Sequence, residues 1–232
     1  MRARFRSIRR GVTLFSAAAI LFTAILATAC KKKVAPYPDL SNPKATAVTF
    51  ARAMETGDVK IAQDASLAGG MEVDLVEAMT RATHSLKQLG NLTKAKYGDA
   101  DGQMLRVTGA IDASAALAAG DVAFDGDERA TVTPQEGVAG KAVVPVQRTE
   151  DGSWKVDIGA LIKGDDVTHS IPLLQAVTVA ADDVSEKVKA GKYANAGEVK
   201  RALQARILEV AAQTGAPTTL PTTLPTLSIG GG

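Results

Sequence analysis

Two histidines, three tyrosines, one cysteine and a scatter of carboxylates are what this 232-residue chain offers for proton transfer, nucleophilic attack or metal binding. His84 and His169 are too few for a histidine-rich zinc site. Asp165-Asp166-Val167-Thr168-His169 sets carboxylates near an imidazole, as a metal site would, but a loop leading into a helix explains the same residues better. Asp99-Ala100-Asp101-Gly102 has the outline of a calcium loop. Placing Gly102 at loop position six puts Tyr97 at position one and Thr108 at position twelve, where carboxylates are required, so calcium is excluded there. No phosphate-binding glycine loop and no nucleophile elbow occurs. An isomerase-type site would need a buried carboxylate base and a tyrosine or protonated acid as oxyanion donor. Asp157 is the best-placed carboxylate, and Tyr97 and Tyr193 are tyrosines without a partner. We therefore assign no catalytic residue, no cofactor-binding or metal-binding residue, and no cofactor.

Cys30 is the exception, because its surroundings prescribe a chemistry. Arg2, Arg4, Arg6, Arg9 and Arg10 precede an apolar run from 12 to 29, and Ala27-Thr28-Ala29 stand immediately before the single cysteine. This stretch resembles a bacterial lipoprotein signal peptide. That family usually has Leu three residues before the cysteine; here Ala27 holds the place and Leu26 lies one earlier. The resemblance implies cleavage after Ala29 and lipid on Cys30, so that the mature protein is anchored in the cell envelope and faces the periplasm or exterior. An uncleaved signal anchor is the alternative, since the run is nearly long enough to span a bilayer, and a secretory peptide that leaves a free thiol is the third. All three put the body outside the cytoplasm. A twin-arginine route is disfavoured because Gly11-Val12-Thr13 follows Arg9-Arg10.

Removing residues 1–29 changes the electrostatics. The chain has 27 basic and 25 acidic residues, and the leader holds five arginines and no acid, so the mature part carries 22 against 25. No basic footprint for nucleic acid remains. Lys31-Lys32-Lys33 suits either an anionic lipid surface or a solvated spacer. A lone cysteine allows no disulfide within the chain, so the fold must rest on its core.

Any site must be positioned by the elements between 43 and 213. Residues 30–42, with Pro36 and Pro38 inside and Pro43 just after, read as a lipidated tether. Asn42-Pro43 then opens a helix whose inward stripe is Ala47, Phe50, Ala51 and Met54, stopped by Gly57. Asp58 caps a short second helix with Ile61, Ala65 and Ala68 inward, and Gly69-Gly70 breaks the chain. The strongest periodicity predicts a helix over 72–87, with Met71, Leu75, Met79, Ala82 and Leu86 on one face and Gly90 as its end. His84 falls about 180° from Leu75, on the wet face, and is expected to be a solvated surface residue.

From 98 to 159 the pattern is that of strands. Residues 103–108 read as a first strand, 113–119 as a brief helix or loop, and 122–124 with 129–133 as a hairpin. A second hairpin joins 141–149 to 153–159. A three-residue loop Glu150-Asp151-Gly152 sets Trp154 opposite Arg148, Val156 opposite Val146 and Ile158 opposite Val144, gathering apolar side chains on one face, with Gly152 in a left-handed position. Gln147, Lys155 and Asp157 then face the other way. Arg148 is expected to pack its stem or its cation on Trp154.

The opening Phe50-Ala51-Arg52-Ala53-Met54-Glu55-Thr56-Gly57-Asp58 and the closing Asp151-Gly152-Ser153-Trp154-Lys155-Val156-Asp157 resemble the two ends of a nuclear transport factor two-like domain. The resemblance implies an α+β fold: N-terminal helices packed on a curved antiparallel sheet in a cone. That family includes isomerases, hydratases and pocket-bearing proteins without a known reaction, so it leaves function open. Beyond it, Leu173, Val177, Ala180, Val184 and Val188 form one stripe and Val199, Leu203, Ile207 and Val210 another, bracketed by Gly191 and Gly197. This C-terminal helical pair is expected to pack back on the sheet or to form a partner groove.

The organisation that follows is a signal peptide at 1–29, a lipidated tether at 30–42 and an α+β cone-like domain at 43–165. A C-terminal helical extension at 166–213 and a disordered Thr/Pro/Gly tail at 214–232 complete it. The function expected of it is a membrane-tethered, non-catalytic binding or scaffold module. Its partners are the membrane, through lipid on Cys30, and an envelope protein or small apolar ligand. The alternative is a small isomerase or hydrolase acting on an apolar substrate inside the cone.

Overall fold

In the computed structural model, residues 37–98, 113–135, 143–162 and 166–214 are described. The leader with Cys30, the Asp99-Asp101 loop, the expected strand at 103–108, Asp165 and the tail after Thr214 lie outside them.

Helix α1 (Pro43–Thr56) begins as its sequence dictates. The Asn42 side chain accepts the Ala45 N–H at 2.9 Å, and Pro43 fills a position whose N–H would have had no helical partner. Ala47, Phe50, Ala51 and Met54 are all buried. Gly57, at φ +78°, ends the helix in the left-handed region. Asp58 accepts the Ile61 N–H at 3.1 Å and opens α2 (Val59–Asp64). The inward residues here are Ala62 and Ala65, whereas Ile61 and Ala68 are only partly buried. The expected stripe fails because α2 is one and a half turns long and the chain passes straight into β1 (Ser66–Leu67), a strand too short to show a period.

Helix α3 runs from Met71 to Tyr97, well past the expected stop at Gly90. Glycine in a helix costs about 1 kcal/mol relative to alanine. Burial of Leu89 just before it, worth roughly 1.5–3 kcal/mol, outweighs that cost, and Thr93 is buried one turn on. Met71, placed on the inward face by the periodicity, is instead half exposed, whereas Leu75, Ala82 and Leu86 are buried.

The remaining elements are α4 (Ala113–Ala118), β2 (Asp121–Asp125), β3 (Arg129–Thr133), β4 (Val144–Arg148), β5 (Trp154–Asp157), α5 (Ile158–Leu161), α6 (Asp166–Lys189) and α7 (Ala196–Thr214). The strands form one open sheet in the order β1-β5-β4-β3-β2. β1 lies parallel to β5 and the other neighbours are antiparallel, so the α+β class holds with a mixed sheet in place of a purely antiparallel one. The β4–β5 register is the expected one, with Val146 opposite Val156 and Arg148 opposite Trp154. Gly152 stands at φ +84°, and the Thr149 N–H closes the loop on the Ser153 carbonyl at 2.8 Å. Ile158 does not pair with Val144. Asp157 accepts the Ala160 N–H at 2.9 Å and starts α5, which carries Ile158 off the sheet while leaving it buried.

Residues 37–42, expected as tether, belong to the folded unit. The Arg52 guanidinium lies 4.6 Å from the centre of the Tyr37 ring, and the Asp39 N–H donates to the Thr49 hydroxyl at 3.1 Å. The Trp154 N–H donates to the Leu40 carbonyl at 2.9 Å. At the other end, both C-terminal stripes are buried as expected, yet the first packs along the distal half of α3 and the second chiefly on α6, and neither on the sheet. Gly191, at φ +72°, follows α6, but Gly197 sits inside α7. The helix start is set instead by Asn195, which accepts the Glu198 N–H at 3.0 Å while Glu198 accepts the Ala194 N–H at 2.8 Å. Two large buried clusters result, with a small third of Ala176, Val210 and Ala211 between α6 and α7. One lies between the sheet and α1, α2, α4 and the first turns of α3; the other lies between the later turns of α3 and the α6–α7 pair.

Candidate functional site

The most concentrated polar chemistry among the described residues lies where the end of α1 meets α3 and α4. Glu55 follows Ala47 and Ala51 at four-residue steps, so the helical period that buries those alanines also turns its carboxylate inward. It is 7% exposed. Lys87 of α3 reaches it with Nζ 2.6 Å from Oε2. Ser114, in the first turn of α4, donates its N–H to Oε1 at 2.8 Å and its hydroxyl to Oε2 at 3.0 Å. A buried carboxylate is costly unless its charge is paired and its lone pairs are used, and these contacts supply both.

His84 lies one turn before Lys87 on α3. Its Nδ1 is 3.0 Å from the Glu55 backbone oxygen, one of the last carbonyls of α1. A carbonyl only accepts, so Nδ1 carries the proton. Nε2 lies 2.6 Å from the Gln88 amide nitrogen, one turn on along α3. The expectation of a solvated His84 is thus corrected: the helical wheel places it opposite Leu75, but the end of α1 covers that side of α3. Gly57 permits the approach. A Cβ there would stand 3.0 Å from the His84 ring, in a backbone conformation that already disfavours side chains.

Serine, histidine and glutamate together suggest a hydrolytic triad, and the connectivity answers the suggestion. In such a triad the histidine links nucleophile to acid. Here Ser114 bonds directly to the Glu55 carboxylate, and His84 bonds to the Glu55 main chain. Proton relay from Ser114 through His84 has no path in this arrangement. What the cluster does is tie three helices together through one carboxylate.

The residues singled out from sequence are dispersed. Asp157 caps α5. Tyr97 and Tyr193 do come together, but the Tyr97 hydroxyl donates to the Tyr193 carbonyl at 2.8 Å, and burial, with Tyr97 nearby, raises the Tyr193 phenol above its ordinary pKa. His169 is exposed in the first turns of α6. Arg148 extends toward the Gly152 carbonyl at 3.5 Å, while the ring meeting Trp154 is that of Phe124, 6.2 Å between centroids and 75° between planes. Among the described residues no three histidine, cysteine or acidic side chains are grouped to hold a metal ion, and no helix is long and apolar enough to cross a membrane. An open groove of about 410 Å³ between α3 and α6 is lined by Asp74, Glu77, Arg81, Gln175, Thr178 and Val179, with Glu77 and Arg81 paired at 2.7 Å.

Glu55 was legible in principle. It continues the 47–51 stripe by four, but a template that scores only apolar residues passes over a glutamate. Comparison with known proteins finds no family model, no characterised protein and no solved structure that matches this chain.

Proposed function

We propose that this chain is a membrane-tethered lipoprotein of the bacterial envelope whose folded body is a non-catalytic module that binds a protein or a small ligand. The observation that carries the reading is Ala27-Thr28-Ala29 before the single Cys30, behind an arginine-rich start and an apolar run. The body adds support of a chemical kind: the buried carboxylate of Glu55 already accepts from Lys87 and Ser114, and the Asp157 carboxylate caps α5. Neither presents the lone acid that an isomerase-type mechanism would recruit.

The test is chemical. After expression in a bacterial host, mass spectrometry of the N-terminal peptide should find a chain that begins at Cys30 and carries a diacylglyceryl group, and Cys30→Ala should move the protein from the membrane to the soluble fraction. A peptide containing residues 27–30 uncleaved, or a Cys30→Ala protein still bound to membrane, would refute the lipid anchor. Catalytic turnover abolished by Asp157→Asn or Glu55→Gln in a protein that remains folded would refute the non-catalytic body.

A further inference from the structure

We propose that the outer edge of β2 is a docking edge for an extended, basic peptide segment that adds to the sheet as a strand. β2 ends the strand order, and among the described residues nothing pairs with its outer side. An unpaired edge presents a row of backbone donors and acceptors, and native proteins usually blunt it. Two features of β2 limit which strand can add there.

The first is apolar. Phe124 stands opposite Ala130, and Val122 opposite Val132, so both side chains lie on the face that carries the sheet core. Phe124 is nonetheless 64% exposed, the most exposed of the large apolar side chains among the described residues. Its edge-to-face contact with Trp154 lays the ring over the core face of the sheet, with most of its surface still exposed.

The second is charge. Asp121, Ala123 and Asp125 alternate on the other face, and the turn continues with Asp127 and Glu128, so residues 121–129 hold four carboxylates against one cation, Arg129, all exposed. A second copy is disfavoured by this pattern. Antiparallel self-pairing about Ala123 would set Asp121 of each chain opposite Asp125 of the other, and like charges directly opposite are destabilising. A strand that alternates lysine or arginine with apolar residues meets the reverse situation, with cations over Asp121 and Asp125 and apolar side chains beside Val122 and Phe124. Main-chain hydrogen bonds supply affinity in this mode and the alternating side chains supply selectivity. The proposal deepens the binding module above by naming its surface and partner, and it does not depend on the lipid.

Trp154, the single tryptophan, is the reporter. The purified full-length chain is titrated with an acetylated, amidated Lys-Val alternating peptide, with a Glu-Val alternating peptide, and with a peptide of Lys-Val composition whose lysines are in one block. Saturable change in Trp154 emission is expected with the alternating basic peptide alone, weakened about tenfold or more by Phe124→Ala. An Asp121→Lys/Asp125→Lys double variant should exchange the preference to the Glu-Val peptide, an outcome that loss of folding cannot imitate. Absence of any saturable response up to about 1 mM peptide, equal affinity for all three peptides, an unchanged preference in the double variant, or a concentration-dependent dimer blocked by Phe124→Ala would each overturn the proposal. Failure of the Cys30 lipid test alone would leave it standing.

Discussion

The two cores that α3 joins are held by different means. The sheet-side core depends on polar groups that meet across long stretches of chain: Glu55 with Lys87 and Ser114, the Thr46 hydroxyl on the Trp154 carbonyl at 3.2 Å, and Leu40 on the Trp154 N–H. The helical core is an aliphatic seam of Ala, Val, Leu and Ile. Its polar ties lie at the rim, as in Arg206 with Asp183 at 2.7 Å and Tyr97 with the Tyr193 carbonyl. In the seam a lost methyl group leaves a space that neighbours partly fill. In the sheet-side core, losing the buried Glu55 carboxylate removes an ion-pair and hydrogen-bond partner from the partly buried Lys87 and Ser114 at once, a loss that side-chain repacking does not restore. Polar specification brings distant segments together, at the cost of tolerance to change.

That contrast can be broken most forcefully at Glu55. Glu55→Ala should cost about 3–5 kcal/mol, since it removes three hydrogen bonds to a charged carboxylate, each worth roughly 1.5–3 kcal/mol before partial compensation by solvent, read as the urea midpoint of Trp154 fluorescence. A loss under about 1 kcal/mol would show that Lys87 and Ser114 are indifferent to it. Leu203→Ala, in the seam, should cost less, roughly 2–3 kcal/mol. Because α3 runs through both cores, its effect should appear at the same midpoint in tryptophan fluorescence and in helical circular dichroism. Separate midpoints would mean that the cores unfold independently.

Gly57→Ala probes the seat of His84 and should cost roughly 1–2 kcal/mol from the left-handed backbone and the crowded ring together. Gly57→Ala in a His84→Ala background, with the ring gone, should retain only the backbone part.

The smallest effect belongs to the β4–β5 turn. Asp151 accepts from the Thr149 hydroxyl, the Ser153 hydroxyl and the Ser153 N–H, which lower its pKa from 3.8 to about 2. A carboxyl with a depressed folded pKa supports the fold above its unfolded pKa and loses that support as pH falls. Protection of the Ser153 amide, taken relative to its intrinsic exchange rate at each pH, should therefore fall between roughly pH 4 and pH 2. No change across that window would mean that the turn is held by Gly152 and the strand register alone.

Legibility in the sequence followed how local each cause was. The α1 start at Asn42-Pro43 and its stop at Gly57 could be read because caps act within a few residues. The β4–β5 register could be read because sliding it by one residue would have split the apolar set between two faces. β1 could not: two residues have no period, and its partner β5 is about 90 positions later. The continuation of α3 through Gly90 depends on α6 covering Leu89 and Leu92, a fact of packing that no helix propensity contains. Concerning the site, the positions were visible and the roles were not. Glu55 lies on the inward stripe and His84 on the outward one, but only the crossing of α1 over α3 decides that both are engaged. Asp157, Tyr97 and Tyr193 were chosen by residue type, and their neighbours gave each of them a structural task.

The unbroken course of α3 has a mechanical consequence. At about 1.5 Å per residue its 27 residues make a strut of roughly 40 Å, with Glu55 clamped to it at Lys87 and the α6–α7 hairpin fastened near its far end through Lys96 and Tyr97. Gly90, three residues beyond that clamp, is the strut's weakest residue by helix propensity, but the packing of Leu89 and Leu92 against α6 splints it on both sides. Because α6 lies against α3 on both sides of Gly90 and its first turns reach the sheet-side core through Val167, a tug on the C-terminal hairpin is passed along the paired helices to the sheet side.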